Sequence, residues 1–108
     1  MSFKIKTISV FEKQAKRLTK KYASLKNELL ELVQELKETP ELGIPIGKSC
    51  YKIRMVITAK GKGKSGGARL ITYVIIEHET LYLLSIYDKS YKENLTDKEL
   101  EELLKAIP

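Results

Sequence analysis

Cysteine and histidine are almost absent from the sequence, which contains only Cys50 and His78 among its 108 residues. A single cysteine excludes a disulfide within the chain, and one Cys with one His disfavours a zinc site built from protein ligands alone. A pair of catalytic histidines is excluded as well. We therefore expect no metal and no cofactor, and an enzyme with this sequence would have to use Lys, Arg, Asp, Glu and Tyr.

Long hydrophobic runs are also missing. No apolar stretch approaches the roughly 20 residues that span a bilayer, and the first ten residues lack the apolar segment and cleavage site of a signal peptide. With 43% hydrophobic and 31% charged residues, the composition is typical of a soluble globular protein of one domain. We expect a single domain, residues 1–108, located in the cytoplasm and without a membrane partner.

Positive charge is concentrated in the middle of the chain. Residues 44–92 carry nine Lys or Arg against three Asp or Glu, which equals the whole net charge of +6. The last segment, residues 93–108, is acidic, with two basic and five acidic residues. A basic centre of this kind favours a surface that binds phosphate groups.

Hydrophobic periodicity predicts an α+β domain with the order β-α-α-β-β-β-α. Period-two patterns indicate strands and 3.6-residue patterns indicate helices, and the short connections between the later strands favour an antiparallel, twisted sheet with a helical hairpin packed on one face and a C-terminal helix. The predicted elements are a short strand around residues 3–7, helices 10–22 and 24–38, strands 50–58, 68–76 and 80–88, and a helix that opens at residues 95–100.

Local signals mark where these elements begin and end. Ser9 with Glu12, and Thr96 with Glu99, have the spacing of capping boxes at two helix starts. Between the second helix and the next strand, the prolines and glycines of residues 40–47 predict an extended connection.

A basic loop, KGKGKSGGAR at residues 60–69, separates two predicted strands. Its glycines are incompatible with a strand interior. On the preceding strand, Lys52 and Arg54 share one face because side chains two apart point the same way, and Tyr51, Ile53, Met55 and Ile57 share the other. The pattern predicts a helix-covered face and an open basic face that binds an anion.

The order of elements and three sequence segments together resemble one protein family. The segments are CYKIRM, GKGKSGGARLITYV and LLSIYDKSYKENLTDKELEEL, and they are similar to RelE/HigB-type toxins of bacterial toxin–antitoxin pairs. The resemblance covers nearly the whole chain. It implies a small ribonuclease that cuts mRNA in the ribosomal A site and that a cognate antitoxin, of the helix-turn-helix type, neutralises.

The resemblance also implies candidate catalytic residues. Lys52 and Arg54 match the family's paired basic positions, Arg69 matches the arginine that opens the next strand, and Lys89 matches the basic residue after the last strand. Where the best-studied branch has a tyrosine on its final segment, this sequence has Leu95, so Tyr91 or Tyr87 would have to substitute.

Cleavage of RNA by its own 2′-hydroxyl needs a base, an acid and stabilisation of the phosphorane. Lys52, among other cations, could lose its proton and act as the base, while Arg54 and Arg69 would clamp the phosphate. Lys89 or a nearby Tyr could protonate the leaving oxygen. The residues that we expect to contact RNA or the ribosome are Lys60, Lys62, Lys64, Lys92 and Tyr87.

Two other functions remain open from the sequence. A gyrase-poisoning toxin of the related ParE type would share the fold and the basicity but would act by binding a protein. A non-catalytic domain that binds RNA or ribosomes would need only the basic loop. The combination of Lys52, Arg54 and Arg69 favours cleavage over both.

Overall fold

The computed structural model describes residues 2–61, 66–92 and 94–108. In these residues a five-stranded sheet lies between a helical hairpin and a single C-terminal helix. The bounds are β1 (Lys4–Thr7), α1 (Ser9–Lys21), α2 (Leu25–Glu38), β2 (Ile44–Gly47), β3 (Cys50–Met55), β4 (Ala68–Ile75), β5 (Thr80–Asp88) and α3 (Asp97–Lys105).

The strands lie in the order β1-β5-β4-β3-β2. The predicted α+β class is confirmed, and β3, β4 and β5 pair in antiparallel fashion as expected. The exception is β1, which runs parallel to β5, with Lys4 beside Thr80 and Thr7 beside Leu83. Most of the chain separates these two strands, so no hairpin turn fixes their relative direction.

The edge strand β2 is an addition to the predicted set. It pairs antiparallel with β3, where the sequence predicted an extended connection but no strand. Pro45 is tolerated because an edge strand needs hydrogen bonds on one side only. Lys48 and Ser49 turn the chain into β3 with φ values of 56° and 62°, a left-handed pair for which Asn-Gly is the usual sequence signal.

The hairpin of α1 and α2 covers one face of the sheet. Both helices lie within one residue of their predicted bounds. Phe11 and Leu18 from α1, and Leu25 and Leu36 from α2, are buried in the same core as Ile53. The predicted helix-covered face is therefore confirmed.

The start of α1 differs from the prediction. Ser9 and Glu12 do not form a capping box: Ile8 precedes the helix without a side-chain cap, and Ser9 is the first helical residue. The Glu12 carboxylate instead accepts a hydrogen bond from the Thr7 hydroxyl. The helix begins one position earlier than the box requires, so Ser9 cannot occupy the capping position.

Helix α3 packs on the opposite face of the sheet. Its predicted capping box is confirmed, since Thr96 Oγ1 accepts from the Glu99 N–H and the Glu99 carboxylate accepts from the Thr96 N–H. Leu100 and Leu103 are buried in the same cluster as Ile71, and Leu100 lines a small pocket together with Lys52. The prediction that this face is open is wrong in part, because Ile71 and the α3 leucines bury apolar surface together.

One side chain of α1 closes part of a sheet edge. Beyond the end of β1, the described residues place no strand beside the β5 edge. Gln14 lies there, and its Oε1 accepts hydrogen bonds from the Ile86 N–H at 3.0 Å and the Ser85 hydroxyl at 2.9 Å. Gln14 therefore replaces a neighbouring strand at this position.

Candidate active site

Three side chains from three neighbouring strands form a row across the face that α3 partly covers. Arg54 of β3 lies opposite Arg69 of β4, and Arg69 lies opposite Tyr87 of β5. Directly opposed residues share a face, and neighbouring strands lie about 4.8 Å apart. Arg54, Arg69 and Tyr87, which we call the arginine row, therefore span roughly 10 Å of one surface.

The two arginines of the row differ in exposure. Arg54 is exposed, and its guanidinium has no ion-pair partner among the described residues, whereas Arg69 is only 3% exposed. Burial lowers the pKa of the Arg69 guanidinium below its ordinary value, and repulsion from Arg54 lowers it further. A guanidinium stays protonated in proteins, so both arginines keep their positive charge. An anion placed between the two guanidinium groups would relieve their repulsion.

Tyr87 ends the row with a neutral hydroxyl. The residue is 8% exposed, and its hydroxyl is buried without a hydrogen-bond partner in the described part of the chain. Burial raises the pKa of this hydroxyl, and the Glu99 carboxylate adds to the rise, while the positive charge of Arg69 opposes it. Tyr87 therefore keeps its proton and lies next to the Arg69 cation. A group that protonates a leaving oxygen has to carry such a proton.

Lys52 lies in the next row on the same face. Its register partner is Ile71, whose own partner is Ser85. Lys52 is half-buried, and its amino group donates to Asn94 Oδ1 at 3.3 Å near the surface. Lys52 and Arg54 therefore share a face as predicted, and Tyr51 turns the other way, where its hydroxyl donates to Glu41 at 2.8 Å.

Lys60 is not a free cation of the basic loop. Its amino group lies 2.7 Å from Asp88 Oδ1, and the two side chains are only 9% and 1% exposed. It also donates to the Ser90 hydroxyl at 2.7 Å. That Lys60 contacts RNA or the ribosome stays a prediction. In the structure its charge is paired with Asp88, and Lys60 holds the start of the loop against the end of β5.

Asp88 is the centre of this polar cluster. Burial alone would raise the pKa of its carboxyl, but hydrogen bonds from Lys60, from the Ser90 N–H and from the Tyr22 hydroxyl outweigh burial and lower the pKa to about 2. The Tyr22 hydroxyl donates to Asp88 Oδ2 at 2.8 Å. The carboxylate thus joins the end of α1, the start of the loop and the end of β5.

The far end of the loop is attached close by. The Lys89 N–H donates to the Gly67 carbonyl at 3.0 Å. A Cβ built on Gly67 would lie 1.8 Å from the Met55 carbonyl oxygen, so only glycine fits this approach of the backbones. Lys89 therefore lies at the end of the sheet where the arginine row is, and its amino group has no hydrogen bond within the described ranges.

Two further predicted residues, Lys92 and Tyr91, lie in different parts of the structure. Lys92 forms an ion pair with Glu99 and lies in the same pocket wall as Tyr87. Tyr91 is 76% exposed, and its hydroxyl accepts from Lys21 at 2.7 Å at the end of α1. Tyr91 therefore binds Lys21 rather than a member of the arginine row, and Tyr87 is the tyrosine that lies next to the arginines.

Two predicted loop cations, Lys62 and Lys64, lie outside the described residues. Within residues 2–61, 66–92 and 94–108, no group of three or more His, Cys, Asp or Glu side chains could hold a metal ion. No helix in these same ranges is long and apolar enough to cross a bilayer.

Sequence reasoning missed the acidic partners of the basic residues. Asp88 and Glu99 lie in the segment that carries the family resemblance, but the sequence alone does not show that they neutralise lysines. The available signal for Asp88 was its position: a single carboxylate directly after the apolar run LYLLSIY. A carboxylate at the end of a buried strand requires a partner.

Comparison with known families identifies a match over most of the chain. Residues 5–107 match the family described as the RelE toxin of the RelE/RelB toxin–antitoxin system. The matched range contains all the strands and helices described above. It leaves out a single residue of them, Lys4 at the start of β1.

Solved structures show the same fold. A double arginine-to-alanine mutant of the E. coli toxin RelE in the free state is 20% identical over the full length of both chains, with a TM-score of 0.66. The isolated E. coli RelE toxin is 18% identical, with 99% of this chain and 100% of that one covered and a TM-score of 0.62. The toxin in the intact E. coli RelBE toxin–antitoxin complex is 19% identical over 81% of this chain and 96% of that one, with a TM-score of 0.62.

Proposed function

Because the chain belongs to the RelE family of toxins from toxin–antitoxin systems, we propose that it is the toxin of such a pair and cuts mRNA on the ribosome. The observation that carries this proposal is the arginine row, in which two guanidinium groups and a protonated tyrosine share one face with Lys52. Phosphodiester cleavage needs these groups: cations for the phosphorane, a base and an acid.

The proposed reaction uses the 2′-hydroxyl of the RNA as the nucleophile. Lys52 acts as the base and takes the proton of that hydroxyl, while the hydroxyl oxygen forms a bond to the adjacent phosphorus. Arg54 and Arg69 stabilise the negative charge of the phosphorane. The bond from phosphorus to the 5′-oxygen then breaks, and Tyr87 protonates that oxygen. The products are a 2′,3′-cyclic phosphate and a 5′-hydroxyl end.

The exposures of the row suggest an order of contact. Arg54 is exposed, whereas its neighbour Arg69 on the next strand is almost completely buried, so the phosphate would meet Arg54 first. Loss of the Tyr87 proton would leave a phenolate beside Arg69, whose charge opposes the burial that raises the pKa of Tyr87. Arg69 therefore supports two charges that develop during the reaction.

The ribosome is the proposed source of substrate positioning. Positioned proton transfer contributes about 10²–10⁴-fold to a rate, and one electrostatic donor contributes about 10²–10³-fold. These factors are modest for RNA that moves freely. An enzyme with these catalytic groups is effective when the ribosome holds the mRNA in the reactive geometry.

An antitoxin is the proposed protein partner. The E. coli RelE toxin has been seen in an intact RelBE toxin–antitoxin complex, and the present chain has a similar fold. We propose an acidic antitoxin that covers the cationic face or blocks entry to the ribosome, and a helix-turn-helix protein remains our expectation for its class.

The test is a purified translation system in which the 5′-ends of mRNA are mapped. The protein should cut mRNA only on ribosomes and with no metal beyond the magnesium that ribosomes require. Arg69→Ala should lower the rate about 10²–10³-fold. Arg17→Ala, a matched change on the exposed side of α1, should cut like the wild type.

Lys92→Ala separates catalysis from binding in the same assay. Lys92 lines the same pocket as Tyr87 but is paired with Glu99. Its loss should at most weaken RNA binding and reduce the slope of log binding constant against log salt concentration by about one unit. Equal cleavage by Arg69→Ala and Lys92→Ala would remove the arginine row from the active site. Intact mRNA together with blocked DNA supercoiling would indicate a gyrase inhibitor instead.

A further inference from the structure

A pocket of about 380 Å³ lies between α1, β5 and α3, at the Tyr87 end of the arginine row. Val10, Leu95 and Leu103 give it apolar walls, and its polar side chains at the sheet are Gln14, Ser85 and Tyr87. The pocket is large enough for one aromatic ring system of a bound ligand. It adjoins the arginine row because Tyr87 belongs to both.

Two polar groups of this pocket lack partners in the described part of the chain. The Tyr87 hydroxyl is buried without a hydrogen bond, which costs free energy unless a ligand supplies one. Gln14 uses its Oε1 to bind Ile86 and Ser85, and this fixes the side chain and leaves its amide N–H groups available. The pocket thus offers an amide donor and a phenolic hydroxyl.

The charges around the pocket disfavour a phosphate there. Glu99 and Glu102 line it together with Lys92 and Lys98, and Lys92 is already paired with Glu99. A flat, neutral group with hydrogen-bonding edges suits these walls better than an anion. Of the parts of a nucleotide, that description fits the base.

We propose that this pocket binds a nucleobase of the RNA, next to the phosphate that the arginine row holds. The inference rests on the proposed function and extends it from cleavage to base selection. The Gln14 amide N–H donates to a carbonyl oxygen of the base, so guanine and uracil are preferred over adenine, which presents an amino group at the equivalent edge. Gln14 is therefore a specificity-determining residue.

Gln14→Glu is the direct test. The substitution keeps an oxygen that accepts from Ile86 and Ser85 but replaces the amide donor by a second acceptor. The ratio of cleavage at guanine and uracil to cleavage at adenine and cytosine should fall about tenfold, the size of one good contact to a base edge. Gln34→Glu on the exposed side of α2 makes the same chemical change elsewhere and should leave the ratio unchanged.

A binding experiment separates this inference from the proposed function. Trinucleotides with 2′-deoxyribose lack the 2′-hydroxyl that attacks the phosphorus. They are therefore not cleaved and report binding alone. Titration with a guanine-centred trinucleotide should shift the methyl NMR signals of Val10, Leu95 and Leu103. The signals of Leu30 and Ile76, which are exposed elsewhere, should stay in place.

The outcomes are distinct. Shifts in the pocket without any mRNA cleavage would end the nuclease proposal and keep the base site. Cleavage with a base ratio that Gln14→Glu does not change would overturn the base site and keep the nuclease. Pocket signals that respond to a purified antitoxin but to no trinucleotide would assign the pocket to that protein and overturn the inference.

Discussion

Lys60 and Asp88 are 28 positions apart in the chain, yet their side chains form an ion pair of 2.7 Å that is almost completely buried. The pair fastens the loop after β3 to the end of β5. An ion pair at such depth is costly to break because the remaining charge loses both its partner and its water. It therefore makes the loop attachment sensitive to substitution and to acid.

We expect Asp88→Asn to lower the free energy of unfolding by about 3–5 kcal/mol at pH 7, since it leaves Lys60 buried without its counter-charge. Urea denaturation measures this value. Asp97→Asn, the same change at an exposed position in the first turn of α3, is the matched control and should change stability by less than about 1 kcal/mol.

Acid should act on the wild type through the same carboxylate. The pKa of Asp88 is lowered from 3.8 to about 2, so the folded state favours its ionised form. The resulting stabilisation, about 2 kcal/mol, is complete well above pH 4 and is lost as the pH falls toward 2. A wild type that loses no more stability than Asp88→Asn between pH 5 and pH 2.5 would contradict this assignment.

Tyr87→Phe should separate stability from activity. Removal of an unpartnered buried hydroxyl should leave the free energy of unfolding unchanged or raise it by about 1 kcal/mol. Cleavage on ribosomes should nevertheless fall about 10²–10⁴-fold if the hydroxyl protonates the leaving oxygen. Tyr82→Phe changes another 8%-exposed tyrosine on the same strand, away from the row, and should cut normally; equal activity of the two variants would exclude Tyr87 as the acid.

Thr96→Ala should destabilise the protein by about 1 kcal/mol because it removes the capping box of α3. Thermal unfolding followed by circular dichroism measures the change. Thr39→Ala, at an exposed position after α2, should fall within about 0.5 kcal/mol of the wild type. Identical losses at both sites would mean that the capping hydrogen bonds contribute nothing measurable.

Expression of the chain alone should arrest growth and stop amino-acid incorporation. The cause is the proposed cleavage of mRNA on ribosomes, and co-expression of the cognate antitoxin should restore both. The Arg54→Ala, Arg69→Ala double variant is the control for protein load and should not arrest growth. Incorporation at the uninduced level in cells that contain intact wild-type protein would count against the toxin.

The sequence predicted those features that depend on local pattern. The period-two alternation of residues 51–57 gave the correct faces of β3, and Thr96 with Glu99 gave the correct start of α3. Ser9 with Glu12 has the same spacing but is not a cap, because helix α1 begins one residue earlier. A short motif gives only a preference, and the exact helix start depends on what surrounds it.

Features that depend on register or on distant contacts could not be predicted. The alignment of Arg54, Arg69 and Tyr87 requires the pairing of three strands, and a long glycine-rich loop between β3 and β4 leaves their register open. The pairing of Lys60 with Asp88 joins residues from separate segments. The family resemblance supplies Arg54 and Arg69 as candidates, while the position of Tyr87 opposite Arg69 depends on strand register.

The two ends of the basic loop are held at the same place. Lys60 binds Asp88, and the Gly67 carbonyl accepts from the Lys89 N–H, so consecutive residues at the end of β5 hold both ends of the intervening segment. Extra residues inserted between these anchors would not displace Arg69, and a longer closed loop costs little additional entropy. The segment can therefore change in length and sequence over evolution, or accept a grafted peptide, while the geometry of the arginine row is preserved.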